Sequence, residues 1–290
     1  MHANPFVNAW PPGHFYSPIP SLEEVERRKV EIFDIPRRIP GIHLNEEHQL
    51  NLLYELSRYY SEQPFSDHRT VGLRYFFDNP NFRHGEAIIL YSMIRHTRPK
   101  RIIEIGSGYS SCAMLDINEL FFDGSIICTV IDPDLELLLS LIYDQDRNKL
   151  EIIRRQVQDV NLAIFSDLSE GDIVFVDSSH VCKIGSDVNY ILFHVMPALS
   201  PGVLVHFHDI CYPFEYPKEW VYQGRAWTEA YLLRAFLQYN NAFTIQLFNS
   251  FLGHYHRATL AAKMALCTQN PGSSLWIKKV RAYSSAARSK

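Results

Sequence analysis

Very little in this sequence points to a secreted, membrane-spanning or nucleic-acid-binding protein. Among 290 residues there are five cysteines (Cys112, Cys128, Cys182, Cys211, Cys267), an odd and scattered set without a C-x-x-C pair. That pattern excludes a disulfide framework and a cysteine zinc site, and implies a reducing compartment. No apolar run approaches the ~20 residues needed to cross a bilayer. Residues 1–20 lack a basic start followed by an apolar stretch, so no signal peptide is read there and the cytoplasm is the expected location. Charge of either sign is scarce in surplus: 28 Lys+Arg against 32 Asp+Glu leave −4. With no basic excess to hold a phosphate backbone, nucleic acid is not an expected partner, and neither is a membrane. There is no internal repeat. What is present is 47% hydrophobic residues, enough in a chain of this length to bury a large core unaided.

The chain opens with Pro5, Pro11, Pro12, Pro18 and Pro20 interleaved with Phe6, Trp10, Phe15 and Tyr16. Proline removes donors, so this stretch reads as an extended arm that docks on its own domain or exchanges with a second copy in a homo-oligomer. Ser21 with Glu24 has the spacing of a helix start. Helical periodicity follows over Leu44–Tyr60 and Glu86–His96, so residues 1–84 read as an arm and a helical cap. From Arg101 the texture changes to short apolar strands: Arg101–Ile105, Ser125–Asp132, Leu150–Arg154, Asp172–Asp177 and Val203–His208. Helical segments separate them. Strands alternating with helices predict an α/β fold, a doubly wound, mostly parallel Rossmann-like sheet covered on both faces, over residues 85–268. Ala242–Phe248 and Arg257–Lys263 read as closing strands. Residues 269–290 read as a polar, basic, partly disordered tail.

The first strand runs into Glu104-Ile-Gly106-Ser107-Gly108-Tyr109-Ser110-Ser111. Glycines at such a turn let backbone approach a ligand, and the next helix offers free N–H groups. A dinucleotide fold would want a third glycine where Ser111 stands, and would set an anionic pyrophosphate near Glu104. A cationic sulfonium and ammonium suit that carboxylate better. Asp132 closes the second strand, where an acid can bind two ribose hydroxyls. The plainer alternative is a glycine turn that serves only tight strand–helix packing.

On these residues the sequence resembles the class I S-adenosylmethionine-dependent methyltransferases over roughly Gly85 to Phe248. The resemblance implies that Glu104, Gly106, Ser107, Gly108, Tyr109 and Ser110 line the methionine half of the cofactor. By the same token Asp132 meets the ribose, and Gln158 and Asp159 the adenine.

Strand four ends in Asp177-Ser-Ser-His180 and strand five in His206-Phe-His208-Asp209. Neighbouring strands would bring these ends together at the edge that carries the glycine turn. Two carboxylates and an imidazole (Asp177, His208, Asp209) suit a divalent cation. Magnesium or manganese is favoured by the carboxylates, with iron or zinc brought in by His208. Such a cation lowers the pKa of a bound alcohol, and His180 stands where a general base could take the proton. The pattern resembles the metal-dependent O-methyltransferases of the catechol and macrolide-sugar types, and cephalosporin-hydroxylase-like proteins. It departs from them at His208, where those families carry an acid. The implied reaction moves a methyl group to a hydroxyl of a small molecule such as a sugar, a phenol or a secondary metabolite.

Plainer roles stand beside these. Asp177 could cap a turn, His206 could be a hydrogen-bonded core residue, and His194 structural. His254 and His256 lack an acid nearby in sequence, and Asp187 could hold a helix start. The ring-rich stretch from Cys211 to Trp227 could be a stacking wall or a cover for the sheet. Arg225 could bind an acidic substrate group or pair with Glu229. The competing functions are a metal-dependent oxygenase or hydroxylase on the same frame, a non-catalytic cofactor-binding scaffold and, more weakly, a nicotinamide enzyme.

Overall fold

The computed structural model describes residues 9–282. Seven strands form one sheet in the order β3-β2-β1-β4-β5-β7-β6. They are β1 (Arg101–Ile105), β2 (Ile127–Ile131), β3 (Leu150–Ile153), β4 (Ile173–Val176), β5 (Leu204–Phe207), β6 (Phe243–Phe248) and β7 (Leu275–Lys279). β1 to β5 are parallel, and β7 runs antiparallel between β5 and β6. Strands β4 and β5 are buried along their whole length, which is why they read as unbroken apolar runs. The strand order reverses between β1 and β4, so a crevice opens at their carboxyl ends, where open α/β sheets bind ligands. Among the described residues no helix is long and apolar enough to cross a membrane.

The longer helices are α1 (Glu46–Leu56), α2 (His84–Thr97), α3 (Tyr109–Phe122) and α4 (Glu229–Leu237). α2 is buried on every side from His84 to Ile94. α1 is stitched to the edge strand: Asn45 donates to the Ile245 carbonyl at 3.1 Å, and the Phe248 N–H donates to Gln49 at 2.8 Å. The cap therefore covers β6, a strand edge that would otherwise stay open.

Three expectations are corrected. Arg257–Lys263 is a helix, not a strand: Leu260 is its one buried residue, and it follows the helix Asn249–Tyr255 after a one-residue break at His256. Residues 269–282 are not a loose tail, because they supply β7, which pairs with both β5 and β6 and buries Trp276. The pattern Leu275-Trp-Ile277 was masked by its polar surroundings. Residues 283–290 of that tail, and Pro5 and Phe6 of the arm, lie outside the described residues. In the described part of the arm, Trp10 stacks on His14 at 4.5 Å and Phe15 is 90% exposed, so its rings pack on one another and do not dock on the sheet domain.

Candidate functional site

The glycine turn and the end of β4 are built against each other. Gly106 has φ +94°, and a Cβ there would sit 1.7 Å from the Asp177 carbonyl oxygen. Only glycine allows that approach, and the Asp177 N–H donates to the Ile105 carbonyl at 2.9 Å. Beside this junction lies a cavity of about 520 Å³. Gly106, Ser107, Asp132, Gln158 and Asp177 line it, joined by Lys183 and Ser186 from the loop after β4. Ser107 Oγ donates to Asp132 Oδ2 at 2.6 Å, and the Asp134 N–H holds the other oxygen at 2.9 Å. This fixes the carboxylate at the end of β2 with lone pairs to spare. Gln158 Nε2 donates to the Gly185 carbonyl at 2.9 Å, while its Oε1 and the Ser178 hydroxyl are buried without a partner among the described residues. Unpartnered buried oxygens on a cavity wall are the mark of a site shaped for a polar ligand.

The remaining residues expected at the cofactor lie elsewhere. Tyr109 packs edge-on to Phe76, Gly108 precedes α3, and Asp159 sits in a turn outside the cavity lining. Glu104 departs most from expectation. It is 1% exposed, and its two oxygens accept from Ser110 Oγ and Ser111 Oγ at 2.5 Å each. Burial pushes its carboxyl up to about 8 against the pull of both hydroxyls, so at neutral pH it is largely uncharged. It pins the first turn of α3, and the attraction of a cation to an exposed Glu104 carboxylate is withdrawn.

Beyond Asp177 the cavity wall becomes a cluster of two imidazoles and four carboxylates. His208 Nδ1 lies 3.3 Å from Asp177 and 3.7 Å from Asp209, and its Nε2 lies 3.1 Å from Glu86. His180 Nε2 lies 3.3 Å from Asp177 and 3.8 Å from Asp209, with Nδ1 2.9 Å from Glu229. Two of these residues have left-handed backbone, His180 at φ +59° and Asp209 at φ +56°. Such strain is retained only where the surroundings enforce it. The Thr228 and Glu229 N–H groups both donate to the His180 carbonyl, and Trp227 covers its ring at 4.5 Å. Burial alone would lower the His180 pKa, but hydrogen bonds to Asp177 and Glu229 raise it to about 10. His208 is likewise raised, burial being outweighed by Asp177, Asp209 and Glu86. The two imidazolium ions hold Asp177 well below the usual carboxylate range despite its burial.

The cation donor set differs from the expected Asp177, His208 and Asp209. The atoms that gather within 4.8 Å of one another belong to Glu86, His208 and Asp209, while Asp177 shares the Nδ1 edge of His208 with Asp209. Two oxygens and one nitrogen remain a fitting set for magnesium or manganese. Glu86 arrives from the first turn of α2, 122 residues away in sequence, and Gly272 makes room for it: a Cβ there would meet Glu86 Cγ at 2.2 Å. Ser273 then completes the site, its N–H donating to Glu86 at 3.1 Å and its hydroxyl to Asp209 at 2.9 Å.

The plainer readings divide. His206 is a core residue, stacked on Phe175 at 3.9 Å, but its Nδ1 has no hydrogen-bond partner among the described residues. Asp187 accepts from the Ser179 N–H and hydroxyl, at 2.8 and 2.5 Å, so it braces the turn after β4. His256 finds an acid after all, Glu46, at 2.6 Å. Glu229 is turned to His180, leaving Arg225 over the rings of Trp220 and Trp227 at 4.6 and 5.0 Å. In the ring-rich segment Tyr212, Phe214 and Tyr216 are core, whereas Trp220 and Trp227 border the site.

Residues 103–210 match a family model described as a methyltransferase domain. An uncharacterised protein of Archaeoglobus fulgidus is 38% identical over 171 residues, which cover 57% of this chain and 76% of that protein. Similar solved structures include the SAH-bound methyltransferase PaMTH1 of Podospora anserina (15% identity, TM-score 0.46, covering 91% of this chain and 98% of that one). A putative caffeoyl-CoA O-methyltransferase of Staphylococcus aureus is another (17% identity, TM-score 0.45, 81% and 100% covered).

Proposed function

We propose that the chain, whose residues 103–210 match a methyltransferase-domain model, is an S-adenosylmethionine-dependent methyltransferase that transfers the methyl group to a hydroxyl of a small molecule, assisted by a divalent cation. The observation that carries this reading is the shared wall. Asp177 closes the cavity beside Asp132 and Gln158 on one side and touches both histidines of the acidic cluster on the other. Electrophile and activating groups would thus meet at one side chain.

In this reading Asp132 holds the ribose hydroxyls, and Gln158 Oε1 accepts from the adenine amine. Ser107 and the Gly106 backbone border the methionine half. The acceptor oxygen forms the new C–O bond as the donor's S–C bond breaks, the electron pair stays on sulfur, and the hydroxyl proton leaves towards His180. Glu229 fixes the imidazole through Nδ1 and aims Nε2 at the acidic pair. Glu86, His208 and Asp209 would hold the cation, which supplies positive charge that lowers the pKa of a hydroxyl bound beside it. Without such charge His180 already carries its proton, so it can act as base only in the loaded site. The oxygenase alternative gains nothing from two carboxylates and a single imidazole, since the oxygen-activating facial triad uses two histidines.

Calorimetric titration with S-adenosylhomocysteine tests the reading. Wild type should bind it, Asp132→Ala should lose at least tenfold in affinity, and manganese should add a second binding event that Asp209→Ala abolishes. A wild-type protein that does not bind S-adenosylhomocysteine refutes methyl transfer, and one that binds it but never manganese refutes cation assistance.

A further inference from the structure

A second cavity, of about 460 Å³, lies on the far side of the cluster, reached through Glu86 and Asp209 and not through the residues assigned to the methyl donor. Its floor is acidic, but two arginines, Arg83 and Arg257, stand in its lining, with Trp220 and Pro217 as flat apolar wall. The two arginines differ. Arg83 is committed to Asp78 at 3.0 Å. Arg257 donates one N–H to the Thr268 carbonyl at 3.0 Å and has no carboxylate within 4.0 Å among the described residues. Arg225, behind Trp220, is in the same state, because the glutamate four residues on that could have neutralised it is buried against His180. Arg257 is thus a cation of the cavity lining that no acid among the described residues neutralises. A guanidinium is always charged, and its fork matches the paired oxygens of a carboxylate or phosphate.

We propose that this cavity receives the methyl acceptor and that the acceptor is a hydroxylated acid. Its hydroxyl lies on the Glu86–Asp209 floor, its anionic group engages Arg257, and its flat body rests on Trp220. The inference rests on the methyl-transfer reading for the identity of the hydroxyl, but the anion site stands on the arginine and the cavity alone. An anionic acceptor gains a charge-assisted pair with Arg257 that a neutral one lacks, so the site prefers the acid. Arg225, beyond the lining, adds attraction at longer range.

The test uses two probes of the same shape, 3,4-dihydroxybenzoate and its uncharged amide, titrated into the full chain with Trp220 fluorescence as readout. The acid should bind at least tenfold more tightly than the amide. Arg257→Gln should erase that preference by weakening the acid alone, while S-adenosylhomocysteine binding and the amide affinity stay within twofold. Trp220→Phe, with calorimetry replacing the lost signal, should weaken both probes alike. Equal affinities for acid and amide in wild type, no binding of either, or a preference that survives Arg257→Gln would each overturn the proposal. Failure of S-adenosylhomocysteine to bind would refute the methyl-transfer reading instead, and the acid-over-amide preference would still be read independently.

Discussion

The carboxylates around Arg74 and those around His180 are buried to a similar depth, yet they are assembled in opposite ways. Arg74, 2% exposed, uses its whole fork. It meets Asp116 and Asp146 at 2.7 and 2.5 Å and Glu119 at 2.9 Å through two nitrogens. The Arg74 and Tyr75 N–H groups close the remaining valences of Asp116, and Lys149 screens Glu119. Around His180 only the Glu229 pair is tight, at 2.9 Å; those to Asp177 and Asp209 are looser, at 3.3 and 3.8 Å, and Glu229 Oε1 and His208 Nδ1 lack a hydrogen-bond partner among the described residues. Two residues there hold strained backbone. The first cluster is complete and acts as a fastener between the segment before α2 and the helix α3. The second is incomplete, and incompleteness at a cavity wall is what a reacting partner requires.

The contrast breaks most visibly at Arg74. Arg74→Met leaves two buried acids, Asp116 and Asp146, and the partly exposed Glu119 with one lysine among them, and should lower unfolding free energy by about 3–5 kcal/mol in urea denaturation, with S-adenosylhomocysteine affinity of the folded protein changed less than about twofold. Should that variant keep its stability, the fastener role is wrong. His180→Gln should do the reverse. Methyl transfer should drop by about 10²-fold, as for loss of a general base, and the urea midpoint should move much less than in Arg74→Met.

A third comparison is with pH. The His180 pKa is raised from its ordinary 6.5 to about 10, so its folded state keeps a proton that the unfolded chain releases. Its stabilisation is fully present below pH 6.5 and is lost as pH rises towards 10, a fall of at most a few kcal/mol. Wild type should therefore lose thermal stability over that range more steeply than His180→Gln; parallel curves would remove the charged imidazole. The smallest effect is expected at Glu104. Raised from 4.5 to about 8, it keeps its proton on folding, and stability declines as pH climbs between those values. Glu104→Gln removes this decline at the expense of one hydroxyl contact, so at pH 8 it should match or exceed wild type by about 1 kcal/mol in thermal unfolding.

The parallel half of the sheet was legible because buried parallel strands are written as continuous apolar runs, and each ends in a polar signal: Gly106, Asp132, Asp177, His208. Residues adjacent along the chain to those ends could be anticipated. Glu86 and Glu229 could not, since each reaches the cluster from a helix and carries the ordinary mark of a first-turn acid. Glu86 even performs that ordinary duty, accepting from the Arg83 N–H at 3.0 Å while its other oxygen meets His208. The direction of Glu104 was equally hidden. Whether an acid at the end of a strand faces a ligand or a helix depends on two serines whose hydroxyls any sequence reading would leave free. Ser273 was missed with β7, because a five-residue strand between polar stretches is too short to announce itself by periodicity.

The position of β7 governs the order in which the protein can be completed. β6 touches the sheet only through β7, and β7 joins by lying against β5. During synthesis residues 101–207 can associate as they emerge, but β6 has nothing to pair with until residue 279 has been added. Until then β5 presents an unshielded margin, and the nascent chain lacks Ser273, which braces Glu86 and Asp209. Competence for catalysis would then arrive abruptly, with the insertion of one late strand, and a ribosome stalled before it would display an adhesive half-product.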